Sequence, residues 1–301
     1  MEQKPNTARQ KGQPYTDNHY VPKFLLDEWC VPDPKRDDAR FLHAIGHGYA
    51  GPAIVTRVPR RVANSPFLYG IRLEDGHFTT LLESGYFTPK IDTRGAAAHS
   101  KLASLGVDGL SETERMWWAR FLCAQMIRVP SMAERMHELL EHDSAFEGAS
   151  VESLKYGLDS DEEELIDEVV DKVGANVVIH APAWFPVTIA ALVRTRPFLT
   201  SHWSVRDVPP LGNELLLSDN PLILSSREDD EDFICVLPLT PRKLFIAASP
   251  RSAADKLSSV EISQLVRETN EFVVSNAMKW VFATDDRLAD FVTKHLPLAR
   301  Q

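Results

Sequence analysis

The 301-residue sequence predicts an α+β protein that is mainly helical, with a small antiparallel sheet in its C-terminal half. Helical spacing of apolar residues dominates as far as residue 196, and after Pro197 the apolar residues alternate as they do in strands. We therefore predict one domain over 18–301, with helices over 18–196 and the sheet with a closing helix over 197–301. Residues 1–17 are polar and are predicted to be a disordered lead.

The clearest predicted helix begins at Ser111. Ser111 and Glu114 have the spacing of a capping box, in which each side chain binds the main chain of the other residue. One helical face then carries apolar side chains at Trp118, Phe121, Leu122, Met126 and Val129. Pro130 is expected to kink or end this helix, because proline lacks the amide that an interior helical position needs.

Further helices are predicted on both sides of this element. Pro22 suits the first turn of a helix that runs through Trp29. Residues 162–173 form an amphipathic pattern, and Gly174 suits the C-terminal cap of that helix. The apolar segment 177–194 predicts a buried helix bent at its two prolines, Pro182 and Pro186.

Strands are predicted mostly after Pro197, although 40–45 and 69–73 also have strand character. Residues 233–237 and 243–247 flank a turn and predict an antiparallel hairpin. A final helix over 259–277 and a last strand over 280–283 complete the expected fold.

Charge and composition exclude some classes of function. The net charge of −10 argues against bulk electrostatic binding of nucleic acid, which usually needs a basic surplus. The densest basic stretch holds Arg57, Arg60 and Arg61, so local binding of nucleic acid or an anionic small molecule stays open. Three cysteines at wide spacing predict buried thiols and no disulfide framework.

The sequence also bears on location. Its start lacks the apolar segment of a secretory signal, and the longest apolar stretch is short and interrupted. We therefore expect a cytoplasmic protein without a membrane partner.

Common catalytic motifs are absent, including the P-loop, the dinucleotide-binding glycine pattern, HExxH and GxSxG. Three other polar segments are candidates. The first contains His19, just before the helix at Pro22, where a histidine can serve as acid, base or ligand near neutral pH. The alternative is that His19 caps or packs against the helix.

The second candidate pairs Gln125 with Arg128, three residues apart on one helical face. Both lie beside an apolar stripe, so each must find a partner or face a cavity. Arg128 suits the bidentate binding of a phosphate or carboxylate substrate. The equally weighted alternative is an ion pair with a buried acid that stabilises the fold.

The third candidate is Ser218-Asp219-Asn220-Pro221, at the end of a predicted buried strand. Functional side chains often lie at such exits, and Asp219 could act as a base or bind a metal. Asp and Asn next to Pro are also common turn residues, because their side chains bind nearby main chain.

These segments together resemble a bacterial family of unknown function, domain family 4238. The resemblance rests on the ordered motifs Asn18-His-Tyr-Val-Pro-Lys-Phe-Leu-Leu26, Gln125-Met-Ile-Arg-Val-Pro130, Ser218-Asp-Asn-Pro221, Leu237-Pro-Leu-Thr-Pro241 and Asn270. It implies one further site position, an acidic residue before a helix of small residues. Asp92 occupies that position, where glutamate is commoner, so the carboxylate has a shorter reach.

If these residues converge, they form a polar pocket with His19, Asp92 and Asp219 as catalytic groups. The predicted substrate-binding residues are Gln125, Arg128, Asn220 and Asn270. Such a set suits acid–base or metal-assisted hydrolysis of a phosphoester, with nuclease-like chemistry in bacterial defence or a mobile element. No cofactor is specified, although a divalent metal would fit. Two alternatives stay open: a sensor that binds a small anion, and a polar network with a structural role only.

Overall fold

The computed structural model describes residues 17–48, 51–143, 146–224 and 232–297. The strands are β1 (Asp17–His19), β2 (Val31–Asp33), β3 (Arg36–Gly48), β4 (Gly51–Arg57), β5 (Asn64–Pro66), β6 (Ile71–Arg72), β7 (Phe78–Thr79), β8 (His202–Asp207), β9 (Leu217–Ser218), β10 (Ile223–Leu224), β11 (Phe233–Thr240), β12 (Lys243–Ser249) and β13 (Trp280–Ala283). The predicted disordered lead lies outside the described residues except for Asp17, which begins β1.

Most of the helices lie between β7 and β8. The helices are α1 (Lys23–Glu28), a π-helix (Leu82–Asp92), α2 (Thr93–Leu105), α3 (Glu112–Ile127), α4 (Pro130–His142), α5 (Val151–Lys155), α6 (Ser160–Val173), α7 (Phe185–Thr195), α8 (Arg251–Ser259), α9 (Ile262–Ser275) and α10 (Ala289–His295). Within the described ranges, none of the helices has the length and apolar character needed to cross a membrane.

Antiparallel sheets organise both halves of the chain. One sheet has the order β10-β11-β12-β8, and another has the order β2-β3-β13-β9 with β4 also paired to β3. Two small ribbons, β1-β5 and β6-β7, complete the pairing. The fold is thus α+β as predicted, and the hairpin β11-β12 confirms the strongest strand prediction.

The expectation that the sheet is confined to the C-terminal half is wrong. Strand β3 from the N-terminal half pairs with β13, and Trp280 lies opposite Gly46. A Cβ atom at Gly46 would lie 2.2 Å from the Lys279 carbonyl oxygen, so glycine permits the close approach of these strands. Local sequence patterns indicate the two strands but not their pairing across more than 230 residues.

Several helix ends follow directly from the sequence. Ser111 and Glu114 form the predicted capping box at the start of α3. Gly174 follows the last residue of α6 and has φ of +86°. A positive φ ends a right-handed helix, and glycine adopts it readily. Pro130 begins α4 after α3 has ended.

The segment 177–194 is not one bent helix. Its two prolines each lie in the first turn of a new element, Pro182 in a 3-10 turn over 181–184 and Pro186 in α7. The missing proline amide costs nothing in a first turn, where it has no helical partner. The prolines therefore start elements here instead of bending one.

A large apolar core joins the two halves. Its biggest fully buried side chains come from helices and strands across the chain, including Trp29, Trp118, Phe121, Phe185, Phe245 and Phe282. The indole Nε1 of Trp29 donates to the Leu215 carbonyl oxygen at 2.9 Å, which ties α1 to the segment before β9. Cys30, Cys123 and Cys235 are free and buried, as the sequence predicts.

The π-helix over 82–92 is a type of helix that is rare in proteins. In an α-helix of 3.6 residues per turn, Glu83 and Asp92 would be separated by about two and a half turns and would point in opposite directions. The wider π-helical turn, with i→i+5 bonding, makes the same nine residues about two turns. Both acids therefore project from one face of the helix.

Candidate functional site

The candidate residues divide into two groups in the structure. Arg128 binds both Asp92 and the main chain of His19, and Gln125 binds the main chain next to His19. The other three, Asp219, Asn220 and Asn270, bind main-chain groups of the C-terminal half. The first group is the candidate site, which we call the Arg128 cluster: Arg128, Asp92, Glu83 and His19.

Arg128 lies at the centre of this cluster and is completely buried. Its Nη1 donates to Asp92 Oδ1 at 2.7 Å, and its Nη2 donates to Asp92 Oδ2 at 3.2 Å. The same Nη2 donates to the His19 carbonyl oxygen at 2.7 Å. Burial alone would lower the pKa of Arg128, but Asp92 and the Tyr69 hydroxyl outweigh it and raise the pKa. Arg128 is therefore a permanent cation bound bidentately by Asp92.

Glu83 brings a second carboxyl group to the same place. Thr88 donates to its Oε1 at 3.1 Å, a contact between residues i and i+5 that the π-helix creates. Its Oε2 is buried without a hydrogen bond of good geometry, although the Asn18 side chain approaches the carboxyl group. Burial raises the pKa of Glu83, and the negative charge of Asp92 raises it further against the opposing effect of Arg128.

His19 enters the cluster from β1, which pairs with β5. Its ring Nε2 lies 3.3 Å from the Pro59 carbonyl oxygen, so Nε2 carries the hydrogen and donates. Burial lowers the pKa of His19, and the positive charge of Arg128 acts in the same direction. The ring is therefore held neutral near pH 7, with Nδ1 as its acceptor nitrogen.

Tyr69 holds the main chain around His19 in position. Its buried hydroxyl donates to the His19 carbonyl oxygen at 3.3 Å, and its amide donates to Asn18 Oδ1 at 3.4 Å. Its ring stacks on Phe87 of the π-helix, with centroids 4.0 Å apart. The β1 strand and the π-helix are thus joined through one aromatic side chain.

Gln125 lies beside the cluster. Its Nε2 donates to the Tyr20 carbonyl oxygen at 3.3 Å, and its Oε1 is buried without a partner among the described residues. Burial raises the pKa of the Tyr20 phenol, and the nearby charge of Asp219 adds to that rise. Tyr20 thus lies between the Arg128 cluster and Asp219.

Asp219 binds the main chain that leads into β13. Its Oδ1 accepts from the Met278 amide at 2.8 Å, and its Oδ2 accepts from Lys279 and Trp280 at 2.9 and 3.0 Å. Burial raises the pKa of Asp219 to about 6, although these three donors oppose the rise. Asn220 supports the same turn, since its Nδ2 donates to the Asn276 carbonyl oxygen at 3.3 Å.

Asn270 binds main chain in a similar way. From the buried face of α9, its Oδ1 accepts from the Leu216 amide and its Nδ2 donates to the Glu214 carbonyl oxygen, each at 2.8 Å. The side chain thereby pairs with an extended segment as a neighbouring strand would. This position links α9 to the segment that becomes β9.

Sequence analysis missed Glu83, Tyr69 and Thr88. Glu83 lies nine residues before Asp92, a spacing that helical periodicity assigns to the opposite face. We find no local signal in the sequence for a π-helix here, and Pro89 within it would argue against any helix. The sequence pointed to this part of the molecule through His19, Asp92 and Arg128, but it gave no signal for Glu83, Tyr69 or Thr88.

Metal binding has limited support in the described part of the chain. No group of three or more His, Cys, Asp or Glu side chains there is arranged to hold a metal ion. Glu83 and Asp92 are two neighbouring carboxyl groups, which is the number that Mg²⁺ often takes from a protein when substrate oxygens and water supply the rest.

The arrangement can move protons near neutral pH. Glu83, an acid whose pKa is raised, and His19, a neutral histidine, each lie near the Arg128–Asp92 ion pair. Groups whose environments separate their pKa values in this way are suited to acid and base roles in one reaction. Asp92 keeps 24% of its side chain exposed, so the cluster reaches solvent at this residue.

Comparisons with known proteins bear on family membership. No curated protein and no solved structure matches the chain. One family model, described as a protein of unknown function (DUF4238), matches residues 17–287 and so covers nearly all of the described fold. The chain therefore belongs to the DUF4238 family.

Proposed function

We propose that the protein is a hydrolase that uses the Arg128 cluster for general acid–base catalysis on a phosphoester or a similar anionic group. The observation that carries the proposal is the π-helix, which brings Glu83 and Asp92 together beside a buried arginine. Uncommon helical geometry of this kind is frequent at functional sites. A fold that needed only one ion pair at Arg128 would not need the second carboxyl group.

Glu83 is the proposed proton donor. Its pKa is raised by burial and by Asp92, so a larger fraction of it is protonated near neutral pH than of an ordinary glutamate. Its Oε2 is the oxygen without a well-placed partner, and it is therefore the oxygen free to give a proton to a leaving group.

His19 is the proposed base. With Nε2 donating to Pro59, Nδ1 can take a proton from a water molecule. The oxygen of that water then bonds to the substrate phosphorus, the leaving oxygen departs, and Glu83 protonates it. Arg128 and Asp92 are positioning residues, because they hold the His19 main chain and set the charge around both groups.

The charge near His19 favours an anionic substrate. The carbonyl group that binds His19 belongs to Pro59, and the next two residues, Arg60 and Arg61, are exposed. Together with Arg57 they form the densest basic stretch of an otherwise acidic protein. A local positive potential of this kind attracts a phosphate group without binding nucleic acid in bulk.

A divalent cation would be held by Glu83 and Asp92 together with substrate oxygens, and it would lower the pKa of a bound water. Cation binding requires both carboxyl groups to be ionised. It would therefore compete with the proton on Glu83, and addition of a chelator separates the two routes.

The experiment is hydrolysis of bis-p-nitrophenyl phosphate, p-nitrophenyl phosphate and a labelled single-stranded oligonucleotide by the full chain, with Mg²⁺, Mn²⁺ or a chelator. We expect turnover of at least one substrate. Glu83→Gln and His19→Gln should each lower kcat by about 100-fold or more, the usual size of a general acid or base effect.

Matched controls use exposed residues outside the cluster. Glu163→Gln on α6 and His202→Gln on β8 change the same residue types, and both should retain full turnover. Absence of turnover of all three substrates, or equal turnover in Glu83→Gln and the Glu163→Gln control, would contradict the proposal.

The hydrogen bonds of Arg128 favour a second candidate, a polar network with a structural role only. Both terminal nitrogens of Arg128 are already bound, to Asp92 and to His19, and only Nε lacks a partner among the described residues. An incoming anion would have to displace Asp92, which also weighs against a simple anion sensor. In the structural case, Glu83→Gln would leave every activity and ligand response unchanged and alter only stability.

A further inference from the structure

A second cleft is lined by residues that have no part in the proposed reaction. Three parts of the chain form its walls: the β6-β7 hairpin together with the residues just before it, helix α4, and the 3-10 turn over 181–184. The cleft has a volume of about 300 Å³. Its walls carry two phenylalanines, an arginine, a glutamate and two histidines: Phe67, Phe78, Arg72, Glu134, His137 and His180. We call it the hairpin cleft.

The aromatic wall is built at a conformational cost. Phe67 and Phe78 stack with centroids 4.3 Å apart and planes 17° apart, and both are half-buried. Phe67 has φ of +51°, which a bulky side chain rarely adopts. A Cβ atom at Gly70 would lie 3.2 Å from both Phe67 Cβ and Phe78 Cδ1, so glycine lets the rings pack closely. Strained residues of this kind cluster at ligand-binding positions.

The polar side of the cleft is mainly basic. Arg72 is exposed and makes no hydrogen bond or ion pair with the residues that the structure describes. His137 and His180 are close enough for the charge of one to affect the other. The facing negative groups are Glu134, which lines the cleft, and Glu141, whose Oε1 lies 3.9 Å from His137 Nδ1.

We propose that the hairpin cleft binds a small aromatic anion, with its ring against Phe67 and Phe78 and its anionic group between Arg72 and the two histidines. An aromatic surface favours a planar ring through stacking. A guanidinium with free donors favours a carboxylate or phosphate group. This proposal is independent of the hydrolase proposal, because Glu83 and His19 take no part in it.

The histidine pair makes the binding depend on pH. A protonated histidine attracts an anion and a neutral one does not, so affinity should rise as pH falls from 8 to 6. Glu134 and Glu141 face the same histidines, and their acidic side chains weaken the attraction for an anion. We expect the Kd for the anion to be about tenfold lower at pH 6 than at pH 8.

The test is calorimetric titration of the full chain with phenylphosphonate, which resists hydrolysis, and with methylphosphonate, which lacks the ring. Saturable binding of phenylphosphonate, at least about tenfold tighter than that of methylphosphonate, is expected at pH 6. Arg72→Gln should weaken it by about tenfold, and Arg135→Gln, an exposed arginine of α4 outside the cleft, should not.

Phe67→Gly separates binding from folding. Glycine adopts a positive φ without strain, which offsets part of the lost packing against Phe78, so this variant should still fold while losing the aromatic wall and the phenylphosphonate preference. Lack of binding at pH 6, equal binding of the two phosphonates, or full binding by both Arg72→Gln and Phe67→Gly would overturn the proposal. Glu83→Gln should bind as the natural sequence does, which keeps the result distinct from that of the hydrolase test.

Discussion

Two buried arginines eight residues apart, Arg120 and Arg128, occupy very different environments. Arg120 ion-pairs with Glu162, whose side chain is 1% exposed, and also lies near Asp159. Arg128 ion-pairs with Asp92, whose side chain is 24% exposed. The π-helix contributes a neighbour to each, because Tyr86 lies near Arg120 and Glu83 near Arg128.

The two environments differ in how many carboxylate oxygens of the neighbouring acids are hydrogen-bonded. In the Arg120 pair, one Glu162 oxygen binds Arg120 and the other accepts from the Asp159 amide at 3.1 Å, as part of the capping box of α6. In the Arg128 cluster, Glu83 has one oxygen without a well-placed partner. A carboxyl group with spare hydrogen-bonding capacity and a raised pKa is suited to chemistry, and a carboxylate with both oxygens bound is suited to stability.

The largest test of this comparison removes each arginine. Arg120→Met and Arg128→Met should both destabilise the fold, by about 3–5 kcal/mol, because each leaves a carboxylate without its cation. Arg120→Met should cost more, since Glu162 has no access to water and Asp92 does. Urea unfolding measures both values.

Arg135→Met on the exposed face of α4 is the matched control and should change stability by less than about 0.5 kcal/mol. A larger loss in Arg128→Met than in Arg120→Met would show that the Arg128 cluster is the more important for folding and would reverse the comparison.

A second test extends the comparison to Asp219, whose carboxylate is saturated by three amides. Asp219→Ala should lower the free energy of unfolding by about 1–3 kcal/mol, because buried donors lose their acceptor. Glu83→Gln, at the unsaturated carboxyl group, should change it by less than about 0.5 kcal/mol at pH 7. Chemical unfolding of both variants under the same conditions measures the two losses in free energy of unfolding. Equal losses would contradict the comparison.

A third test concerns the π-helix itself. Thr88→Val removes the i to i+5 hydrogen bond to Glu83 and should cost about 1 kcal/mol. Thr195→Val in α7 is the control, since its hydroxyl donates to Ala191 four residues earlier on an exposed surface. Thr195→Val should unfold at nearly the same denaturant concentration as the unsubstituted protein. A loss of stability in Thr195→Val as large as that in Thr88→Val would show that the hydrogen bond in the π-helix has no special importance.

The smallest expected effect is a pH dependence. Glu83 has a raised pKa in the folded state, so the folded protein holds this proton at pH values where the unfolded chain has released it. The stability that it contributes is present below about pH 4.3, the unfolded pKa, and is lost as pH rises through the folded pKa.

Glu83→Gln cannot titrate and should lack this loss. Unfolding curves measured from pH 4 to 8 should therefore show a difference in the free energy of unfolding that grows as pH rises. At the upper end of the range, Glu83→Gln should be the more stable relative to the natural protein. A gap that narrows with rising pH would mean that the pKa of Glu83 is lowered and would contradict its role as a proton donor.

Local sequence chemistry predicted much of the fold. The capping box at Ser111, the helix end at Gly174 and the β11-β12 hairpin each depend on neighbouring residues, so short segments were sufficient to predict them. The polar segments of the sequence likewise singled out Arg128 and His19, and Arg128 does bind the His19 main chain. Burial of the three cysteines also follows from their apolar neighbours.

The partners of these residues were decided by tertiary structure. The sequence by itself determined an α+β chain with its helix ends, a candidate arginine and a candidate histidine. Pairing of β3 with β13, and the binding of Asp219 to main-chain amides near residue 280, depend on contacts between distant segments. Glu83 could join Asp92 only because the packed protein holds residues 82–92 as a π-helix, which changes the face on which each side chain lies.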